Sequence, residues 1–281
     1  HYRVRSRDAA GNEAISPDFT FTTNNMALRF DGVNDRATAT DSASLDLTGP
    51  LTLEAWVKFD DVTVNWWQTL IFKRGTSSNL AYALYYHDGI WFEIRSGTTN
   101  VWVRNTQRLQ TGVWYHIAGV YDRSNLRIFV NGELKGTTPF TGPVMTSSFP
   151  VQLGFNSVWT FEQFHGTLDE VRISKSARYT AAFTPPSAPF VADADTVALW
   201  HMDEGTGQTV ADASGNNNTL RRGTSTSGES ADPSWVAGAP FDGGSVALLG
   251  GGPDSSFSSA RFGMQAVLPA GMASRRAARR T

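Results

Sequence analysis

The stretch LTLEAWVKF, Leu51 to Phe59, decides the fold. Side chains of an extended chain alternate between two faces. Leu51, Leu53, Ala55, Val57 and Phe59 therefore share one face, and Thr52, Glu54, Trp56 and Lys58 share the other. The same pattern recurs along the chain. LAYALYYHDGIWFEIRS (80–96) holds two runs around His87-Asp88-Gly89, a hairpin signal. NLRIFVNGELKG (125–136) turns at Asn131-Gly132, the pair best suited to a two-residue hairpin. WYHIAGVYD (114–122), VQLGF (151–155) and GTLDEVRIS (166–174) complete the series, and no helical period persists. Short strands separated by Gly, Asn and Asp turns predict an all-β protein. The expected architecture is a two-sheet antiparallel jelly-roll sandwich, with a short N-terminal β-hairpin stub and an irregular C-terminal tail.

Composition narrows the function. The 281 residues carry 24 Lys+Arg against 26 Asp+Glu, a net charge of −2. That balance argues against nucleic-acid and membrane-surface partners, which need a basic excess. No apolar run is long enough to insert into a membrane. The absence of cysteine excludes disulfides, thiol catalysis and Cys-ligated zinc, yet is compatible with export from a bacterial cell. Hydrophobic residues make up 40% of the chain and nine are Trp, enough for a core and for some surface aromatics.

HYRVRSRDAAGNEAISPDFTFTT (1–23) alternates, turns and resumes, and it resembles the closing hairpin of a fibronectin type III domain. A longer set of motifs follows in order: ALRFDGVNDRATATDSASLDLTGPLTLEAWVKF (27–59), VWYHIAGVYDRSNLRIFVNGEL (113–134), VQLGF and FHGTLDEVRIS (164–174). Together they resemble the bacterial laminin-G-like jelly roll of the concanavalin A-like lectin/glucanase superfamily, over roughly Met26 to Arg178. The resemblance implies the fold. It implies less about function, because this fold hosts lectins, hydrolases, adhesion modules and spacers.

The expected organisation is a fibronectin III-like stub at 1–23 and the jelly roll at 24–184. A Pro-rich connection with closing strands is expected at 185–225, and a disordered or truncated repeat at 226–281. TVALWHMDEGTGQTVADASGNNNTL (196–220) resembles the strand pair that often opens a unit of the family. It either closes a sheet edge of this unit or opens a second repeat, a start that SWVAGAP (234–240) and SVALLGGGPD (245–254) faintly echo.

Asp169 and Glu170 raise the question of catalysis, since many glycosidases use two carboxylates. In a regular strand Leu168, Glu170 and Arg172 alternate against Asp169, Val171 and Ile173, so adjacent acids face apart and cannot flank one bond. Glu54, Glu93, Glu133 and Glu162 are scattered, with no spacing that links them, and no Gly-x-Ser-x-Gly or HExxH string is present. No catalytic residue is expected.

Calcium is the cofactor to consider. Asp31, Asn34 and Asp35 supply oxygens within FDGVND, and Asp169 follows the Gly166 turn. The plainer reading of FDGVND is a tight turn bonded to its own backbone. DASGNNN (212–218) is a second oxygen-rich loop. For sugar binding, exposed aromatics cover the apolar face of a pyranose while polar groups take its hydroxyls. Trp66, Trp67, Trp102 and Trp159 are the candidates, with Arg104 and Asn156, and Gln68 and Asn100 close in sequence. Trp56, Trp91 and Trp114 are expected to pack inside the sandwich.

The leading expectation is a non-catalytic module of a larger secreted or cell-surface bacterial protein. It would bind a polysaccharide or glycosylated surface, with possible calcium assistance, beside other modules of the same chain. The alternatives are a structural spacer and, third, a glycan-active enzyme.

Overall fold

Period-two patterning becomes two stacked sheets in the computed structural model, which describes residues 5–7, 13–15, 25–76, 79–238 and 240–241. The strands are β1 (Arg5–Arg7), β2 (Glu13–Ile15), β3 (Met26–Asp31), β4 (Ala37–Ala39), β5 (Leu51–Phe59) and β6 (Gln68–Arg74). Then come β7 (Leu80–Tyr86), β8 (Ile90–Ser96), β9 (Thr99–Arg104), β10 (Trp114–Tyr121), β11 (Asn125–Val130) and β12 (Glu133–Pro139). The series ends with β13 (Val151–Leu153), β14 (His165–Ser174), β15 (Thr196–Trp200), β16 (Thr209–Val210), β17 (Leu220–Arg222) and β18 (Ser234–Ala237). All described residues belong to one unit, His1–Leu248; a second unit, Leu249–Thr281, lies outside them.

β1 and β2 form the expected antiparallel hairpin, Arg5 opposite Ile15. Sheet A runs β12-β11-β10-β5-β14-β3-β18, with β15 also on β14; sheet B runs β16-β17-β4-β13-β6-β7-β8-β9. Leu51, Leu53, Ala55, Val57 and Phe59 of sheet A and Ile71, Leu84, Phe92 and Ile94 of sheet B are fully buried in the core between them. Burying one such side chain stabilises the fold by about 1.5–3 kcal/mol.

The other face of sheet A is covered too. Trp56 and Trp114 pack there with Phe190 and Leu199, joined by Val236 and Phe241, while Tyr179 and Phe183 cover Ala118, Val120 and Phe129. Trp56 and Trp114 are thus buried as expected, but beneath this covering segment and not between the sheets.

One expectation about β14 is corrected. Its first half, His165 to Leu168, pairs with β3, and its second half, Val171 to Ser174, pairs with β15. Between the halves the register against β5 shifts, and Glu170 takes a positive φ of 48°. This bulge breaks the strict alternation and re-aims Glu170. Its carboxylate accepts the Phe190 amide at 2.6 Å and contacts His201 Nδ1 at 2.7 Å, while Asp169 accepts the Glu170 amide at 2.8 Å. Both acids are buried and hold the fold together.

The segment beyond 185 is built into both sheets: β15 on β14, β17 on β4 and β18 on β3. β18 lies within the stretch 226–281 expected as a disordered or truncated repeat; the part of that stretch beyond 241 lies outside the described residues. The DASGNNN loop braces β15. Asp212 accepts the Leu199 and Asn218 amides at 3.0 and 2.8 Å, and Trp200 donates to the Asn218 carbonyl.

Candidate functional site

With sheet A covered on its outer side, the outer face of sheet B holds the candidate site. Cross-strand register fixes which residues share it. Phe72, Ala83, Glu93 and Trp102 stand opposite one another in turn, as do Tyr85, Trp91 and Arg104. The loop before β6 lays Trp67 over this face, 5.0 Å from Tyr85 and 5.1 Å from Trp91 between ring centroids; Trp102 continues the chain at 5.0 Å from Trp91. From the other side, residues 154–163 bring Trp159, with the Arg74 guanidinium 4.2 Å over its ring.

These groups enclose a cavity of about 290 Å3 lined by Trp67, Phe72, Tyr85 and Trp159, with Arg74, Glu93, Asn100 and Glu162 as its polar members. Glu93 accepts from Tyr85 Oη at 2.9 Å and from Asn100 Nδ2 at 2.6 Å. Burial, reinforced by Glu93, pushes the Tyr85 hydroxyl far up, so it stays a donor. Glu162 accepts from Asn156 Nδ2 at 2.5 Å, and burial pushes its carboxyl up to about 7 despite that bond. Near neutrality Glu162 can therefore act as donor or acceptor.

Of the residues expected from sequence, Trp67, Trp159 and the nearby Asn100 line this cavity. Trp102 lies on the same sheet face and is 47% exposed, and Arg104 stacks 4.8 Å over Trp91. Two expected ligand groups are placed differently. Trp66 is half-buried and donates from Nε1 to the Gln163 carbonyl, outside the cavity lining. Asn156 is fully buried, and its Oδ1 accepts the Val158 and Trp159 amides at 2.9 and 3.2 Å. It shapes the loop that presents Trp159.

Trp91, expected in the core, belongs to the aromatic face. Phe72, Arg74, Tyr85, Glu93 and Glu162 were missed, although Tyr85 and the pair Trp91–Glu93 follow the period-two rule through the hairpin. Glu93 and Glu162, unlinked by spacing, meet only because the 154–163 loop folds back over β8. Phe161, in that same loop, is 64% exposed.

The four expected calcium ligands do not form one set. Asp31 Oδ1 accepts the Val33 amide at 2.8 Å, and Asp35 Oδ2 accepts the Asp31 amide at 2.8 Å. This is the self-bonded turn. Asn34 donates to Ser230 Oγ. Asp169 lies four residues along β14 from His165, the partner of Asp31, a separation of about 13 Å at strand rise. Among the described residues no three of His, Cys, Asp and Glu gather as a metal centre.

Burial pushes the Asp35 carboxyl up to about 6, with Asp31 and Asp232 adding to the shift. A carboxyl raised in the folded state favours folding when protonated, so its contribution is present below the unfolded value and fades as pH rises through about 6. Asp35→Asn keeps an oxygen for the Asp31 amide and removes the charge. At pH 8 the variant is expected to melt about 2–4 °C higher, equivalent to about 1 kcal/mol once solvent screening is allowed for. At pH 4 the two melting temperatures converge; an unchanged gap between pH 4 and 8 rules out Asp35 as the cause.

Comparison with known proteins bears on the fold. A laminin G-type family profile, described as Concanavalin A-like lectin/glucanases superfamily, matches residues 31–182. Among solved structures, a candidate carbohydrate binding protein from Bacteroides ovatus matches with TM-score 0.53 and 19% identity, over 80% of this chain and 66% of that one. The chain thus spans just under two thirds of that protein. Mouse laminin α1 domains LG4-5 match with TM-score 0.44 and 15% identity, over 57% of this chain and 47% of that one. Domain 4 of an extracellular arabinanase from Geobacillus stearothermophilus, solved with arabinotriose, matches with TM-score 0.42 and 19% identity, over 63% and 77%. No curated protein matches the chain.

Proposed function

The chain belongs to the laminin G-type family of the concanavalin A-like lectin/glucanases superfamily, and from that premise we propose that it is a non-catalytic glycan-binding module of an extracellular protein. One observation carries the reading: a pocket floored by Trp67, Phe72, Tyr85 and Trp159, with Asn100, Glu93, Glu162 and Arg74 converging on it. Flat rings cover the apolar face of a sugar, and the polar groups answer its hydroxyls. The candidate carbohydrate binding protein from Bacteroides ovatus shares the fold, which supports the same class of ligand here. No helix among the described residues is long and apolar enough to cross a membrane.

The test is a glycan array in calcium buffer and again with a chelator, followed by titration of the best ligand. Trp67→Ala and Trp159→Ala are each expected to weaken binding about 30-fold, the loss of about 2 kcal/mol typical of a central aromatic anchor. Trp66→Ala, outside the pocket, leaves affinity unchanged. Binding indifferent to both pocket substitutions removes this site from the reading. Binding is expected to survive chelation. A ligand lost with the chelator, together with a calcium-dependent rise in Tm that Asp35→Asn abolishes, would restore calcium to the FDGVND turn.

A second reading, glycoside hydrolysis, has one observation in its favour: Glu93 and Glu162 share the pocket, with the Glu162 carboxyl at about 7 in the range of a general acid. Against it, both Glu93 oxygens are already held, by Tyr85 and Asn100. Reducing-sugar release from a bound glycan, abolished by Glu162→Gln, would establish the enzyme.

A further inference from the structure

A second depression, also of about 290 Å3, opens on the same outer face of sheet B. Register links the two. Arg221, Thr38, Gln152, Phe72, Ala83, Glu93 and Trp102 are successive cross-strand partners on β17, β4, β13, β6, β7, β8 and β9. At the usual strand spacing this row spans about 29 Å, long enough for a chain of several linked sugars. Arg221, Thr38 and Gln152 line the second depression; Phe72 and Glu93 line the first. One loop serves both, with Ser157 in the second and Trp159 in the first. Gln152, nearly fully buried, anchors that loop by donating to Ser157 Oγ at 2.9 Å and accepting its amide at 3.0 Å.

The two depressions differ in charge. In the aromatic pocket Arg74 faces two carboxylates, Glu93 and Glu162. The charged groups lining the second are both guanidiniums, Arg36 and Arg221, accompanied by the hydroxyls of Thr38, Ser157 and Thr224. Arg36 lies 3.6 Å over the Phe155 ring, which fixes its plane; its Nε donates to the Asn34 carbonyl, and Glu229 nearby offsets part of its charge. Arg221 is exposed, and among the described residues no hydrogen bond or ion pair engages its side chain. Guanidinium pairs suit planar, multidentate oxyanions better than any neutral hydroxyl.

We propose that the second depression is a subsite for an anionic substituent, a uronate carboxylate or a sugar sulfate, carried by the same glycan chain that lies on Trp67 and Trp159. The inference rests on the glycan reading of the aromatic pocket.

The probes are matched fragments that differ in charge alone: polygalacturonate against its methyl ester, and κ-carrageenan against its desulfated form. Their binding to the full chain is measured by calorimetric titration at low and high salt. The first pair reads a carboxylate and the second a sulfate. The anionic member of the binding pair is expected to bind about tenfold tighter at low salt, with the gap narrowing at high salt. Arg221→Gln, at an exposed position, is expected to bring the anionic form to within about threefold of its neutral twin and leave the twin unchanged; Arg36→Gln acts in the same direction. Two results overturn the subsite: no gain from charge, or a gain that survives both substitutions. If the neutral twin binds through Trp159 with no gain from charge, the glycan reading stands and the subsite falls. If no member of either pair binds, the subsite falls, and the glycan reading is decided by the array and the Trp67 and Trp159 substitutions. Anionic binding that persists in Trp159→Ala is unspecific ion exchange and overturns it as well.

Discussion

A chain ending at Arg178 is expected to lose its cooperative melting transition, although the family profile ends near that point, at residue 182. The segment removed is built into the fold. β15 supplies the partner for the second half of β14, β17 extends sheet B beyond β4, and β18 extends sheet A beyond β3. With them go Val197, Leu199, Trp200, Met202 and Leu220, all buried. At about 1.5–3 kcal/mol for each buried side chain, their loss is on the order of 10 kcal/mol. Whole domains have about 5–15 kcal/mol in hand. The same cut strips Tyr179, Phe183 and Phe190 from the outer face of sheet A, exposing Trp56, Ala118 and Phe129. Near-ultraviolet circular dichroism of chains ending at 178 and at 241 checks this. A Tm shared by the two would show that the segment from 179 onward is an ornament on a domain that stands without it.

How far the sequence reveals such things depends on whether the signal is local. The strands of LTLEAWVKF and NLRIFVNGELKG are legible because alternation and an Asn-Gly turn are properties of neighbouring residues. The pairing of β15 with β14 is not, since TVALW matches an edge strand of this unit as well as the first strand of another. Asp169-Glu170 misled for a related reason. The alternation rule holds for regular strand, and the bulge arises where β14 exchanges β3 for β15, a tertiary event. In the candidate site, Trp67 and Trp159 were legible because tryptophans in polar loops have no core to enter. Glu93 and Glu162 were not, because 68 residues of chain separate them and only the return of the 154–163 loop makes them neighbours. Asn156 shows the converse: a polar residue near an aromatic can brace the loop that carries it, here by accepting the Val158 and Trp159 amides.

Glu54→Leu is expected to destabilise the fold by about 3–5 kcal/mol, because it leaves buried cations without their partner. The Glu54 carboxylate is fully buried in the middle of sheet A. It accepts from Arg172 Nε at 2.8 Å and from Tyr179 Oη at 2.8 Å, contacts His116 Nε2 at 3.1 Å and has Arg178 Nε at 3.7 Å. Three elements therefore meet on one side chain: β10 through His116, β14 through Arg172, and the covering segment through Arg178 and Tyr179. Burial alone would raise its pKa, but the bonds and charges of His116 and Arg172 outweigh burial and hold it below the usual value. A carboxyl lowered by folding gives stability that is present above the unfolded value, near 4.5, and lost as pH falls through the folded one. Wild type is thus expected to lose Tm on acidification below about pH 4.5 more steeply than Glu54→Gln does. For Glu54→Leu at pH 7 the drop in Tm is roughly 10 °C for a domain of this size. The double variant Glu54→Leu, Arg172→Met discriminates further. If the penalty comes from stranded charge, removing Arg172 as well recovers part of it, since a buried ion pair replaced by apolar groups is close to neutral. If the double variant falls by the sum of the two single losses, the carboxylate and the guanidinium act independently, and stranded charge on Arg172 is not the source of the penalty.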